Sequence, residues 1–436
     1  MAEQQVSHQR VGTLFARGSA TDEISDAELA DGLKEALTKL GARHKVMLLP
    51  PDITRLMSKA GELTCAAYEH YGDAVSDVMP ALGTHTPMSR PEIEKMYPGI
   101  PLGLFREHDW RGNTMVVGTV PAEVVEELSD GLIVAPWNAT LNRMVVEGGH
   151  DLLLSVGQVV PHECLGMANF TKNLFIGVAG AETINFTHHI CAVFGVENIM
   201  GRADTPGRRL FQKAYDEFTP QLPALFAMTV IGPDTTTGKM VTRGLFVGDT
   251  MECFEQACKL SLEVNFTMIE PQRKIVCYMD PEEYHFLWTA NKAIYRTRLA
   301  VADGGELLVL APGVHSFGEK PVLDKLIRRH GYITTPEMMQ ALETDPELAD
   351  NLVAAAHMML SSSENRFSIT YCPSDKVSQA EIEKANFKWA PLEETLARYD
   401  PKKLKPGPNT LEDGEEIYFV PAPGSGLWAA KNRFLD

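Results

Sequence analysis

Apolar and polar positions follow two periods along this chain. Short apolar runs bounded by polar residues, glycine or proline predict buried strands at "KVMLLP" (45–50), "GLIVAP" (131–136), "DLLLSVGQVV" (151–160), "AMTVIG" (227–232), "KIVCYMD" (274–280), "ELLVLAP" (306–312) and "RFSITYC" (366–372), with a weaker one at "AVSDVMP" (74–80). Between them, apolar residues three and four apart predict helices at 26–41, ending at Gly41, and at about 205–220, 252–264, 318–330 and 336–360. The alternation predicts an α/β protein of two domains, each a mostly parallel sheet covered by helices, with the active site in the cleft between them. The expected boundaries are 1–265 for an N-terminal catalytic and cofactor-attachment domain, completed by 408–436, and 266–407 for a C-terminal α/β domain. The proline-rich, charged stretch 398–416 reads as a connection or hinge.

Composition narrows the function classes. The 436 residues are 44% hydrophobic and 22% charged, enough for a sizeable core. A net charge of -18 argues against nucleic acid as a partner, but a locally positive cleft for a small anion remains compatible with it. No apolar run reaches the length of a membrane span, and the first residues lack the apolar core of a signal peptide. The seven cysteines are scattered, with no C-x-x-C pair, so a reduced cytoplasmic setting is expected.

Ligands of open α/β sheets gather at the carboxyl ends of strands, which focuses attention on three polar clusters. "PPDITR" (50–55) follows the 45–50 strand and brings Asp52, Thr54 and Arg55. "ALGTHTPMS" (81–89) brings His85, and "VPHE" (160–163) brings His162. Arg55 can fork onto a carboxylate or phosphate, although Asp52 could equally cap a turn and His85 could be a hydrogen-bonded loop residue. Lys172 lies in the apolar stretch "MANFTKNLFIGVAG", where an ammonium is costly and a neutral amine would be nucleophilic. His188 and His189 are adjacent on an expected helix, so they point to different sides. Protein side chains alone would leave a metal short of ligands. Glycine fingerprints for dinucleotides or phosphates, the G-x-S-x-G elbow and the H-E-x-x-H zinc motif are all missing from the sequence.

Taken together, Asp52-x-Thr54-Arg55, Gly83-x-His85, Pro161-His162, Lys172 ten residues later and His188 sixteen beyond resemble the nickel-dependent lactate racemase family of 2-hydroxy-acid racemases and epimerases. Lys292 in "LWTANKAIYR" matches the family's downstream lysine. The resemblance implies a nickel-pincer nucleotide, a pyridinium-3,5-bisthiocarboxylic acid mononucleotide holding Ni, bonded covalently to Lys172. His188 would ligate the nickel, and Asp52, Thr54 and Arg55 would help bind the cofactor. It further implies His85 and His162 as bases, one for each enantiomer, that exchange the hydroxyl proton while the α-hydrogen moves as hydride to the cofactor. Arg55, Lys292, Trp288 and Thr289 would bind substrate, with Trp288 and Lys292 sharing one helix face.

The chain departs from the family pattern in two places. Ala168, Asn169, Phe170 and Thr171 stand where the family has a serine and a glycine pair before the lysine. Trp288 and Thr289 stand where lactate-specific members have an aromatic–glutamine pair. The shorter Thr289 implies a substrate larger than lactate, such as a sugar acid inverted at C2 as in the gluconate-epimerase-like branch. Malate, another small 2-hydroxy acid, or a non-catalytic sugar-acid-binding protein on the same scaffold are the alternatives. A nicotinamide-dependent dehydrogenase is disfavoured by the missing glycine fingerprint. The expected partners are a small-molecule 2-hydroxy acid and cofactor-synthesis proteins, with a homo-oligomer open and neither nucleic acid nor membrane involved.

Overall fold

The computed structural model describes residues 9–234 and 239–434. Contacts divide the chain into two units, one of residues up to Ile190 with Met200–Asn265, the other of Cys191–Ile199 with Phe266 onward. The first unit is built on a six-stranded sheet in the order Thr13–Gly18, Met240–Gly248, Ala224–Pro233, Leu152–Gln158, Val46–Leu49, Val75–Val78. The last four strands run parallel, and the first two are added antiparallel. Val46–Leu49 is buried throughout and Leu152–Gln158 nearly so, as expected of parallel strands covered on both faces. Helix Asp26–Leu40 packs one such face. Its start is fixed by a Ser25/Glu28 capping box, and Leu29, Leu33 and Leu37 are buried at helical spacing.

The second unit holds a six-stranded sheet in the order Lys388–Trp389, Ser368–Pro373, Val301–Ala311, Gln272–Tyr278, Glu416–Val420, Gly407–Thr410, parallel except for the last pairing. A short parallel pair, Phe266–Ile269 with Leu427–Ala430, accompanies it. The mixed α/β class with parallel-rich, helix-covered sheets matches the hydrophobic pattern. Among the described residues, no helix is long and apolar enough to cross a membrane.

Several expected elements differ. "GLIVAP" is not a strand. The helix Ala122–Leu128 ends just before it, Gly131 takes a positive φ, and pairing begins only at Trp137–Asn142. The helix expected over 336–360 is three helices, Thr335–Thr344, Pro346–Ala349 and Leu352–Leu360, because Pro346 interrupts the ladder and Asp345 caps the next turn. The 398–416 stretch is not a simple connection, since Gly407–Thr410 forms the antiparallel edge of the second sheet. Residues 408–436, expected to complete the N-terminal domain, instead supply strands to the second unit, because Glu416–Val420 finds its backbone partners in Gln272–Tyr278.

Candidate active site

In the first unit Arg55, His162, Lys172 and His188 act on one another electrostatically, and Asp52 and His85 form a pair in the segments that follow Val46–Leu49 and Val75–Val78. Asp52 follows Val46–Leu49 and caps the 3-10 turn Ile53–Ser58, accepting from the Thr54 N–H at 3.0 Å and the Thr54 hydroxyl at 2.5 Å. Its second carboxylate oxygen, Oδ2, lies 2.6 Å from His85 Nδ1. One carboxylate therefore both caps this turn and meets His85. Burial would raise the carboxyl, but the His85 and Thr54 hydrogen bonds outweigh it and keep Asp52 below its usual range. His85 donates Nδ1–H to this carboxylate, which leaves the Nε2 lone pair free in that tautomer. The His85 side chain is 54% exposed, so this base is open to a ligand.

His162 is arranged in the opposite sense. It sits on a two-residue hairpin strand, Pro161–His162 against Gly166–Met167. The backbone N–H groups of Cys164 and Leu165 both donate to its Nδ1, at 3.1 and 3.4 Å. A ring nitrogen that accepts carries no proton, so neutral His162 holds its proton on Nε2. Burial drives its pKa well below the ordinary value. The charges of Lys172, His188 and Arg55 act the same way, against an opposing pull from Glu163.

His188, on Ala181–Phe194, donates Nδ1–H to the carbonyl of Ile184 at 2.7 Å, which frees the Nε2 lone pair for a metal. His189 is turned elsewhere, with a buried Nδ1 that has no hydrogen-bond partner. Lys172 lies in Thr171–Phe175. Burial, followed by the Arg55 charge, brings its amine down to about 8. Neither the Lys172 amine nor the exposed Arg55 guanidinium forms a hydrogen bond or ion pair among the described residues.

The segment before Lys172 explains how the family's glycines are replaced. Asn169 and Phe170 take positive φ values of 72° and 57°, which side-chain-bearing residues seldom adopt. Phe170 is fully buried, stacked on Phe254 with centroids 5.1 Å apart and against Phe226 at 4.6 Å. Buried Arg208 donates to the carbonyls of Met167 and Asn169 and to the Thr171 hydroxyl. Packing and these bonds offset the backbone strain.

Residues 21–199 match the model of the lactate racemase N-terminal domain. Over this segment the chain is similar to the lactate racemase N-terminal domain. A crystal structure of a protein from Thermotoga maritima is 24% identical, with a TM-score of 0.76 over 94% of this chain and 99% of that one. The lactate racemase apoprotein from Thermoanaerobacterium thermosaccharolyticum is 16% identical, with a TM-score of 0.69 over 95% and 94%. At these identities both likenesses describe the fold. No curated protein matches the chain by sequence.

The other three expected site residues lie in the second unit. Trp288 and Lys292 do not share one uninterrupted helix. Leu287–Ala290 and Lys292–Thr297 are separate helices meeting at Asn291, whose side-chain oxygen accepts from Tyr371. Trp288 stacks on His357 with centroids 3.7 Å apart, and Thr289 donates its hydroxyl to the Phe286 carbonyl. Lys292 Nζ sits 5.4 Å over the Tyr284 ring. Sequence reasoning missed Glu163, which acts on His162, Lys172 and His188 together. Its place directly after His162 was the only signal. Nothing in the sequence marked Arg208.

Proposed function

We propose that the protein is a racemase or epimerase that inverts C2 of a 2-hydroxy acid larger than lactate, of D-gluconate-like sugar-acid size, with a nickel-pincer nucleotide attached at Lys172. The observation that carries this reading is the different hydrogen bonding of three imidazoles, two of which, His162 and His188, feel the charge of the buried Lys172. His85 presents a free Nε2 lone pair backed by Asp52, His162 presents Nε2–H, and His188 presents a lone pair of metal-ligating type.

The residues fit the cofactor. An amine at about 8 is part neutral near neutrality, as attachment chemistry requires. Among the described residues no three His, Cys, Asp or Glu side chains cluster to hold a metal, so His188 suits a metal whose other ligands come from a bound group. When bound, that group supplies an acceptor and donor for the substrate's α-hydrogen as hydride.

This chain's residues do the rest. Arg55 holds the substrate carboxylate. His85 Nε2 takes the hydroxyl proton, and Asp52 stabilises the imidazolium that forms. His162 donates Nε2–H to the substrate oxygen as a neutral electrophile and polarises the C–O bond of the keto acid. In this arrangement His162 is a donor, so service as base to the opposite enantiomer requires its ring to give up the Cys164 and Leu165 amides. Lys292, Trp288 and Thr289 are assigned to substrate by the resemblance alone.

The test is intact-mass analysis after co-expression with cofactor-synthesis proteins, followed by an NMR screen of 2-hydroxy acids for inversion at C2. A covalent increment mapped to Lys172 together with inversion supports the proposal. An unmodified lysine, or modified protein inert toward every acid, overturns it.

A further inference from the structure

Two histidines that the reading above leaves unused lie side by side in the second unit. Gln272–Tyr278 and Val301–Ala311 are parallel neighbours, and the segments that leave their carboxyl ends stay in register. The His315 N–H donates to the His285 carbonyl at 3.0 Å, the Leu287 N–H to the Ser316 carbonyl at 3.0 Å and the Trp288 N–H to the Phe317 carbonyl at 2.8 Å. Phe286 and Ser316 form a parallel bridge. His285 and His315 each stand one residue before a bridge partner, so their side chains leave the same face as neighbours. Their ring centroids are 5.8 Å apart, with the planes 24° from parallel.

The backbone beneath the rings is fixed. At Gly313 an added Cβ would fall 2.6 Å from the Pro281 carbonyl oxygen and 2.8 Å from that of Tyr284, so only glycine lets the two segments come this close. Asp324 accepts from the Ser316 hydroxyl at 2.7 Å and from the Phe317 N–H at 3.0 Å, which holds the second segment. The imidazoles, by contrast, are uncommitted. Both histidines are exposed, and neither ring forms a hydrogen bond or ion pair among the described residues. Within five residues of either histidine the chain carries four carboxylates, Asp280, Glu282, Glu283 and Glu319, against one ammonium, Lys320. That balance favours a cation.

We infer that His285 and His315 form a binding site for one divalent transition-metal ion of the kind that imidazole nitrogen selects, copper(II), nickel(II) or zinc(II). Two imidazoles on one tetrahedral ion hold their centroids about 5 Å apart, given a metal–nitrogen length of about 2.1 Å. Turning two exposed rings closes the remaining gap without disturbing any core packing. Among the described residues no third His, Cys, Asp or Glu joins the pair, so water fills the other positions and the ion exchanges with solution. The bound ion ties the segment leading into Trp288 to the segment leaving Val301–Ala311. This site does not rest on the reaction proposed above, because its test uses cofactor-free protein and reads no activity.

The full chain, labelled with 15N-histidine, is titrated at neutral pH with Zn2+, Ni2+ and Mg2+ and followed by NMR. Zn2+ is expected to shift, and Ni2+ to broaden, the ring signals of His285 and His315 along one shared saturation curve. His285→Ala and His315→Ala should each weaken that step by about 10-fold or more, since each removes one of two ligands. His188→Ala should leave it unchanged. Mg2+ should give no response, because it takes oxygen ligands and keeps its waters. Both variants should melt with the unmodified protein in the presence of a chelator, which separates ligands from structural residues. Unchanged affinity in either variant, loss of the step in His188→Ala, an equal response to Mg2+, or a lower melting temperature of the variants in chelator overturns the proposal.

Discussion

His85 Nδ1 and Asp52 Oδ2 are 2.6 Å apart, and this contact makes the two histidines of the site chemically unequal. A carboxylate behind His85 places the proton on Nδ1 and stabilises a second one on Nε2. Two backbone amides behind His162 place the proton on Nε2 and disfavour a second on Nδ1. Identical side chains thus present a lone pair and an N–H through what stands behind each ring.

Asp52→Asn should therefore slow turnover of the loaded enzyme by about 10²–10⁴-fold, the scale of a lost general base. His85→Ala should cost about as much, and the double variant little more, because the two act as one unit. Inversion rates measured by NMR decide this. Additive losses would mean that Asp52 acts through something other than His85.

The tautomers can be read without any cofactor. Long-range nitrogen–proton correlation of 15N-histidine-labelled protein should place the His162 proton on Nε2 and the His188 proton on Nδ1. Burial lowers both pKa values. As pH falls below the ordinary imidazole value, the unfolded chain then takes up protons that the folded chain refuses, and stability drops. Melting temperature should decline from pH 7 to pH 5.5, and His162→Gln should flatten that decline.

Lys172 should react with an amine acylating reagent along a pH profile with its midpoint at about 8, ahead of the exposed lysines. Arg55→Gln should move the midpoint upward, because it removes the cation that, after burial, most opposes protonation. Peptide mapping against pH measures both. Lys172→Ala should lose the covalent cofactor and nickel together, and full nickel retention would contradict the attachment role.

Glu197 joins Arg298 and Arg366, at 2.9 Å each. Glu197→Gln leaves the buried Arg298 charge short of its counter-ion, and stability should fall by about 3 kcal/mol. Urea unfolding measures it. A change within about 0.5 kcal/mol, the scale of an ordinary surface substitution, would count against the pair.

Sugar-acid-sized substrates should exceed lactate in kcat/KM by about 10²-fold or more, since a site that pairs several hydroxyls discriminates against an analogue lacking them. Thr289→Gln should narrow that margin. Lactate turned over as well as a sugar acid by the unmodified enzyme would return the protein to the small-acid branch.

Much of this protein is determined by local sequence. Apolar runs such as "KVMLLP" and "DLLLSVGQVV" become buried parallel strands because they have no polar face to offer solvent. Ser25 with Glu28 sets a helix start through contacts three residues apart. The positions of Asp52 and His162 just after strands were legible for the same reason, since the period of each strand declares where it ends.

What only the tertiary structure decided depends on partners distant in sequence. "GLIVAP" is as apolar as a strand, yet pairing begins only at Trp137. Residues 408–436 join the second unit because a strand's membership is settled by which backbone it pairs with, and Glu416–Val420 pairs with Gln272–Tyr278. The proton positions on His85 and His162 were set by Asp52, 33 residues from His85, and by a hairpin that turns two amides inward. The paired state of Arg298 rests on Glu197, Leu360 and Ser362. Proton position and charge compensation depend on atoms a few ångströms away, and in a folded chain most of those atoms belong to distant residues.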